Sequence, residues 1–234
     1  GVFTMLKVGI YIFGIEFLAE SGASTWLMWL AAFSILAASV IAMTKDNLKA
    51  RLAYSTISQL SYITLGVALA SSMGILGGGL HVVMHAMGKI TLFMCAGSIY
   101  VATHRTEISQ MTGLGRRMPI TFIAFLIGAL SIIGLPPLGG SWSKWLLMVG
   151  AVDAEHLFIL GVLLVSSLLN VAYLLPLVAK GFFLSNDTDA ELAQSAEASP
   201  LVWGPPAATA FGCVVLFFYA GHIQDFLMPI VATN

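Results

Sequence analysis

Between Gly74 and Val101 the chain is apolar at almost every position, and the run is long enough to cross a bilayer as a helix. Seven other stretches read as apolar segments, so the expected fold is an all-α polytopic membrane protein with about eight transmembrane segments. Composition agrees: 59% of the residues are hydrophobic and 9% charged, against roughly 25% charged in soluble domains. Mean hydropathy is +0.94. The net charge of -1 gives no reason to expect nucleic-acid binding. Cys95 and Cys213 both lie in apolar runs and read as small buried hydrophobes, not as a disulfide or a metal pair.

The first segment runs from Gly1 to about Ala19, and the second from about Trp26 to Thr44, opened by the interfacial aromatics Trp26 and Trp29. The third spans about Leu52 to Ala70, the fourth about Gly74 to Val101, and the fifth Pro119 to about Ile133. The sixth, about Ser141 to Val152, is too short to cross alone. The seventh covers about Leu157 to Phe183 and the eighth about Leu201 to Ile230, with a polar loop over residues 185–200 between them. The chain opens inside an apolar run with neither an initiator Met nor a basic signal region, which predicts a fragment that begins part-way along a helix.

Inside the fourth segment His81, His85 and Lys89 recur every four residues. Four residues of helix advance about 6 Å and overshoot a turn by about 40°, so the three form one slowly curving stripe. Basic groups at that depth cost about 2.5 to 3.5 kcal/mol each on insertion scales, which points to a use. A ladder of proton sites is one reading. Hydrogen-bonded packing histidines are another, and a histidine-ligated metal or haem is a third. Against the third, no carboxylate or thiol is placed to complete a site, and the Lys89 ammonium repels a cation. The triplet Gly77-Gly78-Gly79 permits bending or close packing of this helix.

Two other stretches carry polar chemistry. The third segment holds Tyr54, Ser55, Thr56, Ser58, Gln59, Ser61, Tyr62 and Thr64, which facing lipid would be costly. These groups line internal water or glue helices together. Gly134-Leu135-Pro136-Pro137-Leu138-Gly139-Gly140 is incompatible with a regular helix. Broken membrane helices line cavities, where freed backbone groups find partners, so Lys144 beside the break is a site candidate. Lys7 reads as an ordinary helix charge. The loops after the second and fourth segments hold Lys45, Arg51, Arg105, Arg116 and Arg117, against mainly Lys180 on the other side, which places the former in the cytoplasm.

Three of these stretches resemble one superfamily: the antiporter-like membrane subunits of Mrp-type cation/proton antiporters, respiratory complex I and related membrane hydrogenases. Lys49-Ala50-Arg51-Leu52-Ala53-Tyr54-Ser55-Thr56 resembles its Lys-x-x-x-Ala-Tyr-Ser-Ser/Thr signature. His81-x-x-x-His85-x-x-x-Lys89-x-x-Leu92-Phe93 is similar to its histidine-lysine helix, and Gly134-Leu135-Pro136-Pro137 through Ser143-Lys144 to its broken-helix motif. The resemblance covers essentially the whole chain and implies a single membrane domain over 1–234, the second half of a fourteen-helix antiporter-like fold. Gly1 would then follow the key lysine of the seventh helix, which lies upstream.

The resemblance implies a proton path in which Lys49 links to the upstream half, Lys89 is central, His81 and His85 relay through water, and Lys144 opens to one side. Tyr54, Ser55, Ser58, Gln59 and Ser143 would support it. Burial and a neighbouring cation both disfavour the charged form of a lysine, which is what lets one lysine displace the proton of the next. Lys144 followed by Trp145-Leu146-Leu147 looks more like Mrp-type subunits than like those complex I subunits that carry Glu there. Other complex I subunits carry Lys, so both classes stay open. The expected function is proton translocation in a multisubunit Na+/H+ antiporter, with a complex I or hydrogenase subunit and a non-conducting scaffold as alternatives. No cofactor, metal or catalytic residue is implied, and no redox motif is present. Expected partners are other membrane subunits, protons, Na+ on the antiporter reading, and the bilayer of a bacterial plasma membrane.

Overall fold

The structure is a computed structural model that describes residues 1–20, 22–184 and 196–232. Among the described residues the chain is helical apart from short turns. Helix α1 (Val2–Lys7) continues as a π-helical stretch, Val8–Phe13, and α2 follows (Ile15–Glu20). The first segment is thus broken where a continuous run was expected. Gly14 causes the break with φ of 81°, a conformation open to glycine at little cost. Then come α3 (Ala23–Thr44), α4 (Leu48–Ala68), α5 (Ser72–Thr103), the short α6 (Leu114–Arg117), α7 (Pro119–Ile133), α8 (Gly140–Asp153), α9 (Leu157–Phe183) and α10 (Pro200–Ala232). Most of the expected polar loop lies outside the described residues.

Capping explains where α4 and α5 begin. Asn47 Oδ1 accepts from Ala50 N at 3.0 Å, so α4 starts upstream of the apolar run and takes in Lys49 and Arg51. Ser71 Oγ accepts from Gly74 N at 3.2 Å at the start of α5. Helix α5 runs without interruption through the glycine triplet. The triplet brings α8 close: a Cβ on Gly77 would sit 2.7 Å from the backbone nitrogen of Leu147.

Helix α5 is the central element, packed against α4, α7, α8 and α10. At one end of the bundle, Leu48 N donates to Thr106 O at 2.9 Å and Gly113 N to Lys180 O at 3.1 Å. At the other, Ser71 Oγ donates to Gly150 O at 3.1 Å. The 15 residues of α7 rise only about 22 Å, less than the roughly 30 Å of a hydrocarbon core. It begins at the first end, and α8 finishes at the second, so the two together make one crossing. This corrects the expected position of Lys180. Treating α7 and α8 as separate crossings puts it opposite Arg116 and Arg117, whereas Arg116 Nε donates to Phe182 O at 2.7 Å beside it.

Candidate functional site

Two lysines lie in the interior, Lys89 on α5 at 5% exposure and Lys144 on α8 at 4%. Among the described residues neither forms an ion pair. Lys89 Nζ donates to Ser55 Oγ at 2.6 Å and to Leu52 O at 3.3 Å. The Leu52 carbonyl also accepts from Thr56 Oγ1 at 2.8 Å, so it takes two donors. Lys144 Nζ donates to Ile133 O at 3.1 Å and to Ser167 Oγ at 3.2 Å, and lies 5.0 Å from the centre of the Tyr62 ring. Ile133 ends α7, and with Gly134 turning the chain at φ of 93° its carbonyl is left for an outside donor. The helix break therefore supplies a ligand for this ammonium.

Between the two lysines run His81 and His85. Their rings stack at 5.6 Å and 17°, and Tyr62 stacks on His81 at 5.4 Å. His81 Nδ1 is 2.9 Å from Ser143 Oγ, the residue before Lys144. The ladder is thus joined to the broken helix at its far end.

The buried side-chain atoms without a hydrogen-bond partner among the described residues are Gln59 Nε2 and Oε1, Tyr62 Oη, His81 Nε2, His85 Nδ1 and Asn170 Nδ2. Buried polar groups are normally satisfied, and six exceptions would be expensive if scattered. Three of the six, Tyr62 Oη, His81 Nε2 and His85 Nδ1, belong to the ring stack that runs between Lys89 and Lys144. Water is the usual partner of such atoms in a polar interior.

The remaining expected residues fall elsewhere. Lys49 is exposed and lies over the Tyr100 ring at 4.9 Å, on a different face of α4 from Ser55. Tyr54 sits under Lys45 at 5.4 Å near the start of α4. Ser58 turns to α3, bonding Ile35 O at 3.0 Å and Ser39 Oγ at 2.9 Å. Lys7 lines an apolar cavity of about 400 Å³ with Ile75, Val82 and Leu227, apart from the lysine row.

Three residues on α9 reach the site without having been singled out for it: Ser167, Asn170 and Tyr173. Tyr173 Oη lies 2.8 Å from Ser55 Oγ and donates to Asn170 Oδ1. Their i, i+3, i+6 spacing on one helix face is the sequence signal that marks them.

The fold and the site define a multi-pass helical membrane protein with two buried lysines joined by histidines. Residues 2–170 match the family model "NADH:quinone oxidoreductase/Mrp antiporter, TM", and the chain belongs to that family. It is 39% identical over 156 residues to NADH-quinone oxidoreductase subunit N of Desulforudis audaxviator, covering 67% of this chain and 31% of that protein. It is 29% identical to subunit L of Rickettsia bellii over 99% of this chain and 35% of that protein. In fold it is similar to a chain of the Mrp complex from Dietzia sp., with TM-score 0.86 and 20% identity over 99% of this chain and 50% of that one. A chain of respiratory complex I from Thermus thermophilus gives 0.83 and 24%, over 97% and 47%. The chain thus spans about a third of these curated relatives and half of the solved ones.

Proposed function

We propose that this chain carries protons within the membrane for a multisubunit ion-translocating complex, along Lys89, His85, His81 and Lys144. The observation that carries this reading is the stack of Tyr62, His81 and His85, each with a polar atom unpartnered among the described residues, between two buried ammonium groups, because a structural role for the lysines gives no reason for such a line joining them. Each ammonium rests on neutral acceptors alone, so it can surrender a proton without breaking an ion pair. Lys49, on the outer face, is the point at which a further part of the path would join.

The complex is read first as an Mrp-type Na+/H+ antiporter, on the broken-helix lysine Lys144. The names of the curated relatives favour a second reading, a proton-pumping subunit of an NADH-quinone oxidoreductase. Sodium-dependent proton exchange against NADH-driven proton uptake in vesicles separates the two. The path is tested by Lys89→Ala in the assembled complex, with proton flux followed by a pH-sensitive dye. Flux is expected to fall at least a hundredfold with assembly intact. Parent-level flux in that variant would refute the path.

A further inference from the structure

The histidine ladder does not use the hydrogen bonds that Lys89 makes on its other side. Lys89 Nζ donates to Ser55 Oγ at 2.6 Å, the Ser55 and Tyr173 hydroxyl oxygens lie 2.8 Å apart, and Tyr173 donates to the amide oxygen of Asn170. All three partners are fully buried, at 0 to 1% exposure.

Counting protons fixes the direction of this row. An amide oxygen only accepts, so the single Tyr173 hydroxyl proton must point to Asn170 Oδ1. Tyr173 then has nothing to give Ser55, and the Ser55 proton goes to Tyr173 Oη. Ser55 is left as an acceptor toward Lys89, which suits an ammonium with three donors and no lone pair. A deprotonated Lys89 needs the opposite, since its amine lone pair calls for a donor.

The same atoms can supply that donor. Rotating the Asn170 amide by half a turn presents Nδ2 to Tyr173 Oη. Tyr173 then donates to Ser55, and Ser55 donates to the amine. No proton travels along the row, because three side-chain rotations reverse it. Asn170 Nδ2 is buried without a partner in the present orientation, so the rotation exchanges one unpartnered end of the amide for the other.

The backbone around the row is held. Arg51, one helical turn before Ser55 on α4, donates from Nη1 to the Tyr173 carbonyl at 3.0 Å and from Nε to Lys45 O at 2.8 Å. Helix α4 therefore grips Tyr173 at both its backbone and its hydroxyl.

We propose that Ser55, Tyr173 and Asn170 form a reversible hydrogen-bond row that serves Lys89 in both of its protonation states, with the Asn170 amide as pivot and Tyr173 as the positioning residue. This rests on the reading of Lys89 as a proton site. Without the row, one of the two states of Lys89 has no matching side chain beside it, and the step that produces it is slowed.

The test uses the complete membrane complex carrying this chain, in sealed vesicles with a pH-sensitive dye, and complex yield monitors assembly. Tyr173→Phe and Ser55→Ala are each expected to lower proton translocation about tenfold, the scale of one lost buried hydrogen bond. The double variant should fall no further, because both changes break the same row, whereas independent packing defects would multiply. Ser55→Thr keeps the hydroxyl and should stay within about twofold of the parent. As a second measurement, the infrared C–O stretch of tyrosine distinguishes a donating from an accepting hydroxyl. It should shift between the parent and Lys89→Met in the band that Tyr173→Phe removes. Multiplicative losses, parent-level transport in Tyr173→Phe, or an unshifted band would each overturn the row while Lys89→Ala still reports loss of transport. Parent-level transport in Lys89→Ala would instead overturn the underlying path.

Discussion

The Lys144 ammonium is clasped between the ring of Tyr62, 5.0 Å from its centre, and the carbonyl of Ile133, 3.1 Å away at the end of α7. An arginine could keep both contacts, since a guanidinium stacks on aromatic rings and donates to carbonyls, but it stays protonated at any accessible pH. A fixed anchor would tolerate it and a proton site would not. In the assembled complex, proton flux is expected to fall in the order Lys, Glu, then Arg and Ala, with Lys144→Arg at least tenfold below the parent and expression unchanged. Parent-level flux in Lys144→Arg would make the residue an anchor.

Ser58 and Gln59 are neighbours in sequence with separate tasks. Ser58 bonds Ile35 O and Ser39 Oγ on α3, so Ser58→Ala should cost about 1 kcal/mol in stability, measured by thermal unfolding in detergent, and leave proton flux unchanged. Gln59 has neither amide atom partnered. Gln59→Leu removes that burden from the bundle but takes polar wall from the path. It should unfold no earlier than the parent and translocate protons severalfold more slowly.

With α7 and α8 counted as one crossing, Lys45, Lys49, Arg51, Arg105, Arg116, Arg117 and Lys180 all gather at one end of the bundle. Glu20, Asp153 and Glu155 lie at the other. By the positive-inside rule the basic end is expected to face the cytoplasm. Cys95 and Cys213 are buried and give little background, so cysteines placed at exposed positions can report the sides. Arg117→Cys should react with an impermeant maleimide only in inside-out vesicles, and Glu155→Cys only in right-side-out ones. The reverse pattern would invert the orientation.

The helices were legible because apolar runs of membrane length alternate with short charged loops, and in lipid only a helix satisfies its backbone groups within a single segment. The helix break was legible from Pro136, Pro137 and their flanking glycines. Whether the halves on either side crossed separately was not, and Lys180 was assigned to the wrong end for that reason. The stripe of His81, His85 and Lys89 lies on one helix, where spacing alone fixes the face. Tyr173 shows in the sequence only as a polar residue on a face shared with Ser167 and Asn170; its link to Lys89 does not, because its partner Ser55 is 118 positions away and only packing of α9 on α4 joins them. Residues adjacent in a motif also part company in space: Lys49 and Ser55 belong to one signature, yet the first meets Tyr100 outside and the second Lys89 inside.

Glycine supplies the last test, because the position of Lys144 depends on how closely α8 begins beside α7. A Cβ on Gly140 would overlap the carbonyl oxygen of Ser131. That atom is backbone inside a packed helix and has no rotamer to escape into. Alanine there must push the start of α8 outward, one turn before Lys144, drawing the ammonium from Ile133 O and Ser143 from His81. Overpacking of this kind costs about 1 to 3 kcal/mol, and here the displacement falls on the path. Gly161 is the control: it lies within α9 with open space where its Cβ would go, and Gly→Ala in a helix is neutral or stabilising by about 0.5 to 1 kcal/mol. Gly140→Ala is therefore expected to lower both unfolding temperature and proton flux, the flux by at least tenfold, while Gly161→Ala lowers neither. Equal flux in the two variants would show that the seating of α8 against α7 does not set the geometry of Lys144.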